Sequence, residues 1–197
     1  MVNTGIKITT IGTRHLGSAL GSDDFVREFV GRKVAKWTSA LERLTQIAHS
    51  EPHAAFSAYT HGFAAQWRYI SRVVPNVGPL LEPLEEDIRK KFLPALLGRN
   101  ALSDQERKLL ALPARHGGMG FVNPTTLGDE HAISKTVCGP LISNIIEQQH
   151  QLGDVSERQR QLKSDMRRGK RSKASEQAKQ IHEDLPGSLA RPVELAG

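Results

Sequence analysis

Asp23 and Asp24, adjacent in the run "GSALGSDDFVREFV", are the carboxylates of this sequence best spaced to hold a divalent cation. Nucleic-acid polymerases use such a pair, because two metal ions held by carboxylates stabilise both the attacking and the leaving oxygen of a displacement. That chemistry needs the acids exposed on a turn between strands, with a further acid nearby to complete the cage. Here Ser22 precedes the pair as an N-cap and an amphipathic helix follows at once. Negative charge in a first turn complements the helix dipole. The local pattern therefore reads as the start of a helix and leaves the chain without a metal-binding acid pair.

Other reactive side chains are scattered. The eight histidines lie at 15, 49, 53, 61, 116, 131, 150 and 182. Only His49 and His53 share the four-residue helical spacing, and Pro52 predicts a break between them. Zinc needs three or four converging nitrogen or sulfur ligands, so no metal site is expected. Cys138, the single cysteine, sits in "KTVCGP" and reads as an inert buried thiol. The loop "HGGMG" superficially looks like an oxyanion or phosphate loop, but no strand-turn-helix context or P-loop lysine accompanies it. Glycines after a proline are first of all turn residues.

The elements that must position these groups are mainly helical. β-branched residues between 6 and 12 suit a strand, and "RHLGSALG" beyond Gly12 completes a short hairpin. From residue 23, Val26, Val30, Val34, Trp37, Leu41, Leu44 and Ala48 recur at three and four, the stripe of an amphipathic helix. A second helix is predicted over about 52–74 through Phe56, Tyr59, Phe63, Trp67, Ile70 and Val74, with Pro75 stopping it. A third runs from Val77 through Leu81, Leu84, Ile88 and Phe92 to a Gly98 C-cap. Ser103 and Glu106 form a capping box ahead of "DQERKLLAL", and "PARHGGMGFVNPT" is a turn-rich loop. Residues 126–149 suggest two short helices broken at Gly139-Pro140, and the polar stretch beyond suggests marginal helix or disorder interrupted by Gly169. The expected organisation is a β-hairpin over 1–22, a helical domain over 23–150 and a basic tail over 151–197.

Charge is concentrated. Residues 157–179 hold nine Lys/Arg and three Asp/Glu; taking these from the totals of 27 and 21 leaves 18 of each elsewhere. A basic segment of this kind attracts polyanions, and "MRRGKRSK" also has the composition of a nuclear address. A lone cysteine favours a reducing compartment, intracellular and either nuclear or cytoplasmic. No apolar run approaches the ~20 residues of a membrane span, and the N-terminus lacks the pattern of a signal peptide.

Nucleic-acid contact is the chemistry the residues favour. Arg27, Arg32, Lys33 and Lys36 lie on the outer faces of the first helix, and Arg68 and Arg72 flank the aromatic Trp67 and Tyr69 of the second. Lys/Arg at helical spacing can meet successive phosphates and release counterions. The competing reading for each is a solvated face with i,i+4 partners, such as Glu28 with Arg32.

Four segments in order resemble a known family. "GTRHLGSALGSDDFVREFVGRKVAKW" is similar to the stretch following the catalytic palm in reverse transcriptases of eukaryotic retrotransposons, where a Leu-Gly hairpin, the primer grip, leads into a helical thumb. "PHAAFSAYTHGFAAQWRYISRVVP" and "LEPLEEDIRKKFLPALLGR" resemble thumb and connection helices of a metazoan group of these elements. "LALPARHGGMGFVNPT" is similar to a loop of the non-LTR enzymes. The resemblance spans about residues 5–145, and the tail looks like the same group's continuation. It implies RNA-directed DNA polymerisation with Mg²⁺ held by palm aspartates. Those aspartates would lie upstream of residue 1, so the chain is expected to be a fragment that carries no cofactor and is inactive alone. Carried over by position, Arg14, His15, Leu16 and Gly17 fall in the primer grip, and Arg27, Lys33 and Lys36 on the thumb helix facing the duplex.

Two functions are therefore expected from this sequence. One is a thumb-and-connection module that holds an RNA–DNA or DNA duplex, alongside a palm-containing chain, through Arg14, His15, Arg27, Lys33, Lys36, Arg68 and Arg72. Arg167, Arg168, Lys170 and Arg171 of the tail would add to it. The other is a helical scaffold or protein-interaction module without a nucleic-acid role.

Overall fold

A computed structural model describes residues 9–148 and 152–184. The chain is mainly helical behind one two-stranded antiparallel hairpin, β1 (Gly12–His15) and β2 (Ser18–Gly21). Helix α1 (Asp23–Ser50) is followed by α2 (Pro52–Ala58) and α3 (Ala64–Val73), which a π-helical turn at Tyr59–Phe63 joins. A 3-10 turn (Gly78–Leu81), α4 (Glu82–Asp87), a second π-helical turn (Ile88–Phe92) and α5 (Leu93–Leu97) come next. Then follow α6 (Asp104–Ala111), 3-10 turns at Ala114–His116 and Pro124–Asp129, α7 (Glu130–Gln148) and α8 (Leu152–Glu183).

The hairpin sits later in the chain than β-branched composition predicts. Residues 6–8 lie outside the described residues, Thr9 and Thr10 are not in a strand, and pairing starts at Gly12↔Gly21. Turn geometry decides the register: Leu16 at φ 47° and Gly17 at φ 79° form a two-residue turn whose twist matches paired strands. At the base the backbones touch. A Cβ on Gly21 would strike the Gly12 backbone, and one on Gly12 would enter the Phe25 ring. The Ser22 amide donates to the Ile11 carbonyl at 2.8 Å and closes the base.

Ser22 then caps α1 by accepting from the Phe25 amide, with Asp23 and Asp24 exposed in the first turn. Val30, Val34, Trp37, Leu41 and Ala48 bury the predicted stripe. The second helix departs from α-periodicity: its buried positions step by five from Tyr59 to Ala64, where an α-helix steps by three or four. The two π-helical turns bring Tyr59 and Phe92 into a stack, 5.0 Å between centroids and 15° between planes. Trp67, Phe63 and Phe121 surround this pair, and Trp37 meets Trp67 edge-on at 6.1 Å.

The Tyr59 hydroxyl is buried in that cluster without a hydrogen-bond partner. Burial drives its pKa upward, since no solvent is there to stabilise a phenolate. A buried donor left unsatisfied costs about 1–3 kcal/mol. Tyr59→Phe is therefore expected to keep the stack and to leave the unfolding free energy unchanged or raise it by about 1 kcal/mol in a urea titration.

The glycine loop after α6 is spent on structure. Amides of Gly118, Met119, Gly120 and Phe121 donate to carbonyls of Pro113, Leu110 and Leu112 at 2.8–3.3 Å. These bonds seat Phe121 fully buried among Tyr59, Phe92 and Phe56. Amides committed in this way have nothing to offer a phosphate or an oxyanion.

Three expectations for the C-terminal half are corrected. Helix α7 runs unbroken through Gly139 and Pro140. An interior proline loses its N–H bond and crowds the carbonyl four residues back, and packing of α7 against α3 and α8 offsets that cost. Cys138 is exposed, not buried. Val137 takes the half-buried position, which turns its neighbour by about 100° toward solvent. The basic stretch forms the 32-residue α8, uninterrupted at Gly169, because its far half packs on α6 through Ala178.

Candidate nucleic-acid interface

The hairpin folds back over α1 and reaches α3. Its tip is held by the Tyr69 hydroxyl, which donates to the Leu16 carbonyl. A non-glycine residue in the left-handed region costs about 1–2 kcal/mol, and at this site the cost places that carbonyl against α3. The Leu16 side chain is left 81% exposed at the apex.

Under the hairpin lies Phe29, itself buried, with two cations over its ring. The Arg14 guanidinium is 5.6 Å and the Lys33 ammonium 5.2 Å from the centroid. The ring quadrupole attracts each cation. The two cations repel one another, so an anion placed between them would relieve that repulsion. Helix α3 adds Arg68 and Arg72, exposed one turn apart beside Tyr69. Trp37 donates to Gln66 at 2.8 Å and fixes α3 against α1.

The structure thus brings Arg14 and Lys33 together over Phe29, sets Arg68 and Arg72 on the helix whose Tyr69 holds the hairpin tip, and leaves His15 exposed at the end of β1. Lys36 shares the α1 flank of Phe29 and Lys33, at i+7 and i+3. Arg27 does not join them. Nine residues at about 100° each put it half a turn around α1 from Lys36, on the opposite flank. Among the described residues none of Arg14, Arg27, Lys33, Lys36, Arg68 and Arg72 forms an ion pair.

Most other cations of the bundle are paired. Arg32 pairs with Glu28, Arg89 with Asp104, Lys90 with Glu86, Lys91 with Asp87 and Arg99 with Glu106. Arg107 is buried and grips Glu85 with two bonds of 2.6 and 2.7 Å. The acidic edge of α4 is occupied by these partners, away from the hairpin. Tyr69 is named from sequence only as an aromatic between Arg68 and Arg72, and Phe29 is not singled out; its signal is an aromatic four residues before a lysine.

On α8, Arg167, Arg168, Lys170 and Arg171 are exposed, and Lys170 donates to Glu130 of α7 at 2.5 Å. Two further contacts hold this helix pair to the bundle. The Arg72 carbonyl accepts from His131 Nδ1 at 3.2 Å, and the His116 carbonyl accepts from His182 Nε2 at 3.1 Å.

Among the described residues, no group of three or more His, Cys, Asp or Glu converges as metal ligands, and no helix is long and apolar enough to cross a membrane. Asp23 and Asp24 stand apart from any third acid of that kind. What the surface offers is fixed positive charge on rigid helices beside an aromatic-anchored hairpin, suited to backbone phosphates. No family model, no curated protein and no solved structure matches this chain.

Proposed function

We propose that this chain holds a nucleic-acid duplex by its phosphate backbone, in the manner of a reverse-transcriptase thumb with its primer-grip hairpin, and performs no chemistry alone. The observation that carries the reading is Arg14 and Lys33 meeting over Phe29 beneath a hairpin that Tyr69 anchors, beside exposed Lys36, Arg68 and Arg72 that form no ion pair among the described residues. Cations without an ion-pair partner keep their full charge for a ligand, and placement on folded elements limits the entropy lost on binding. A catalytic palm would belong to another polypeptide segment and would supply the Mg²⁺.

The test is titration of the full chain against an RNA–DNA hybrid duplex at increasing salt. Binding is expected for unrelated sequences alike, with log affinity falling linearly in log salt. No binding at about 50 mM salt would overturn the reading and favour a helical scaffold, for which exposed Ile142 and Ile146, one turn apart on α7, offer a pair of apolar contacts. Primer extension with Mg²⁺ or Mn²⁺ is expected to give no incorporation. Incorporation lost in Asp23→Ala/Asp24→Ala would show instead that the pair is catalytic.

A further inference from the structure

Helix α8 carries a row of cations that the hairpin cluster does not include. Arg160, Lys163, Arg167, Arg168 and Arg171 follow one another at helical spacing, and with Ser164 they line a single shallow, open concavity. Arg160 and Lys163 escaped the sequence reading because they precede the densest basic run. The row spans eleven residue-to-residue steps from Arg160 to Arg171, about 16 Å of helix. One strand of a duplex passes about five phosphates in that length, at roughly 3.4 Å of rise each.

The charge of this row is available. Lys163, Arg167 and Arg171 make no ion pair among the described residues. Arg160 pairs with Glu157 at 2.8 Å and Arg168 with Asp165 at 4.0 Å, but all four side chains are at least half exposed. Such pairs are worth little and yield readily to a phosphate. Lys170, by contrast, is committed to Glu130 and steadies α8 on α7.

We infer that this face of α8 is a second polyanion site, one that adds contacts to the phosphate backbone of a nucleic-acid duplex beyond those of the hairpin cluster. A membrane surface fits less well. Interfacial helices bury an apolar face beside their cations, whereas Leu162 and Met166 are half-buried positions on another side of α8. A single strand also fits less well, because stacking platforms need aromatic rings and α8 has no Phe, Tyr or Trp between 152 and 183. Contact through phosphates alone predicts no sequence preference.

The experiment uses the full chain and two unrelated 20-base-pair duplexes in salt-titrated fluorescence anisotropy. Lys163→Gln/Arg167→Gln/Arg171→Gln, with helix content checked by circular dichroism, is expected to bind at least ~10-fold more weakly near 50 mM salt. Its log–log salt slope should be shallower by about 2.7, three phosphates at 0.9 each. Arg167→Lys/Arg171→Lys keeps the charge and should keep the slope. An unchanged slope in the glutamine variant would overturn the inference. So would equal loss in the lysine variant, since that would mark a structural defect. Loss of phosphatidylserine-vesicle binding with duplex binding intact would overturn it in favour of a membrane. Neutralising Lys36, Arg68 and Arg72 tests the hairpin cluster separately, so either site can fail without the other.

Discussion

Arg107→Ala is expected to destabilise the fold by about 3–5 kcal/mol, the usual cost of removing one partner from a buried ion pair. Arg107 is 5% exposed, and its guanidinium makes three bonds that join three parts of the chain. Nε and Nη2 meet the two carboxylate oxygens of Glu85 on α4 at 2.7 and 2.6 Å, and Nη1 donates to the Phe121 carbonyl at 2.7 Å. Removing the side chain strands a carboxylate whose own exposure is 13% and leaves a buried carbonyl unpaired. It also frees the loop that seats Phe121 against Tyr59 and Phe92. A domain is typically stable by about 5–15 kcal/mol, so this single change removes a large share. Arg107→Lys should recover only part of the loss, because an ammonium cannot match the two-pronged geometry. Arg107→Met with Glu85→Leu should recover more, since both charges then leave together. Urea midpoints of the four proteins check the series, and a loss below about 1 kcal/mol in Arg107→Ala would contradict it.

Local signals carried the helices and failed where distant segments decide. The stripe from Val26 to Ala48 and the Ser22 cap are readable because helix periodicity and capping involve neighbours only. The Ser103–Glu106 box is equally local, and the structure has both of its bonds. Arg107, one residue on, reads as a surface position. Its burial depends on Glu85, 22 residues away, and on Phe121, 14 residues away. Pro140 reads as a break, and packing of α7 against α3 and α8 overrides it. The hairpin was legible as a hairpin but misplaced, since β-branched content is a weaker constraint than the Leu16-Gly17 turn.

The candidate site divides in the same way. That Arg68 and Arg72 share a helix face follows from their spacing. That Arg14 and Lys33 meet over one ring requires the hairpin to fold back across α1, which no local pattern encodes. Arg27 is grouped with Lys33 and Lys36 by the resemblance to a thumb helix, and helical rotation sets it on the opposite flank of α1. Lys170 was grouped with the free tail cations, and only the α7–α8 packing reveals its partner Glu130.

The second large effect expected is on binding. Lys36, Arg68 and Arg72 are exposed and without ion-pair partners among the described residues, so replacing all three with glutamine removes charge with little cost to packing. Arg14 and Lys33 are kept because they cover Phe29, and their loss would confound affinity with the stability of the hairpin. Three lost phosphate contacts should lower affinity for a hybrid duplex at least ~10-fold near 50 mM salt and make the slope shallower by about 2.7.

The measurement that bears most directly on the proposed duplex-holding role is therefore the salt-titrated affinity of Lys36→Gln/Arg68→Gln/Arg72→Gln for an RNA–DNA hybrid, beside the unaltered chain. The account predicts a weaker complex with a shallower slope and an unchanged urea midpoint. A complex of unaltered affinity and slope would contradict it and leave the hairpin cluster a solvated surface.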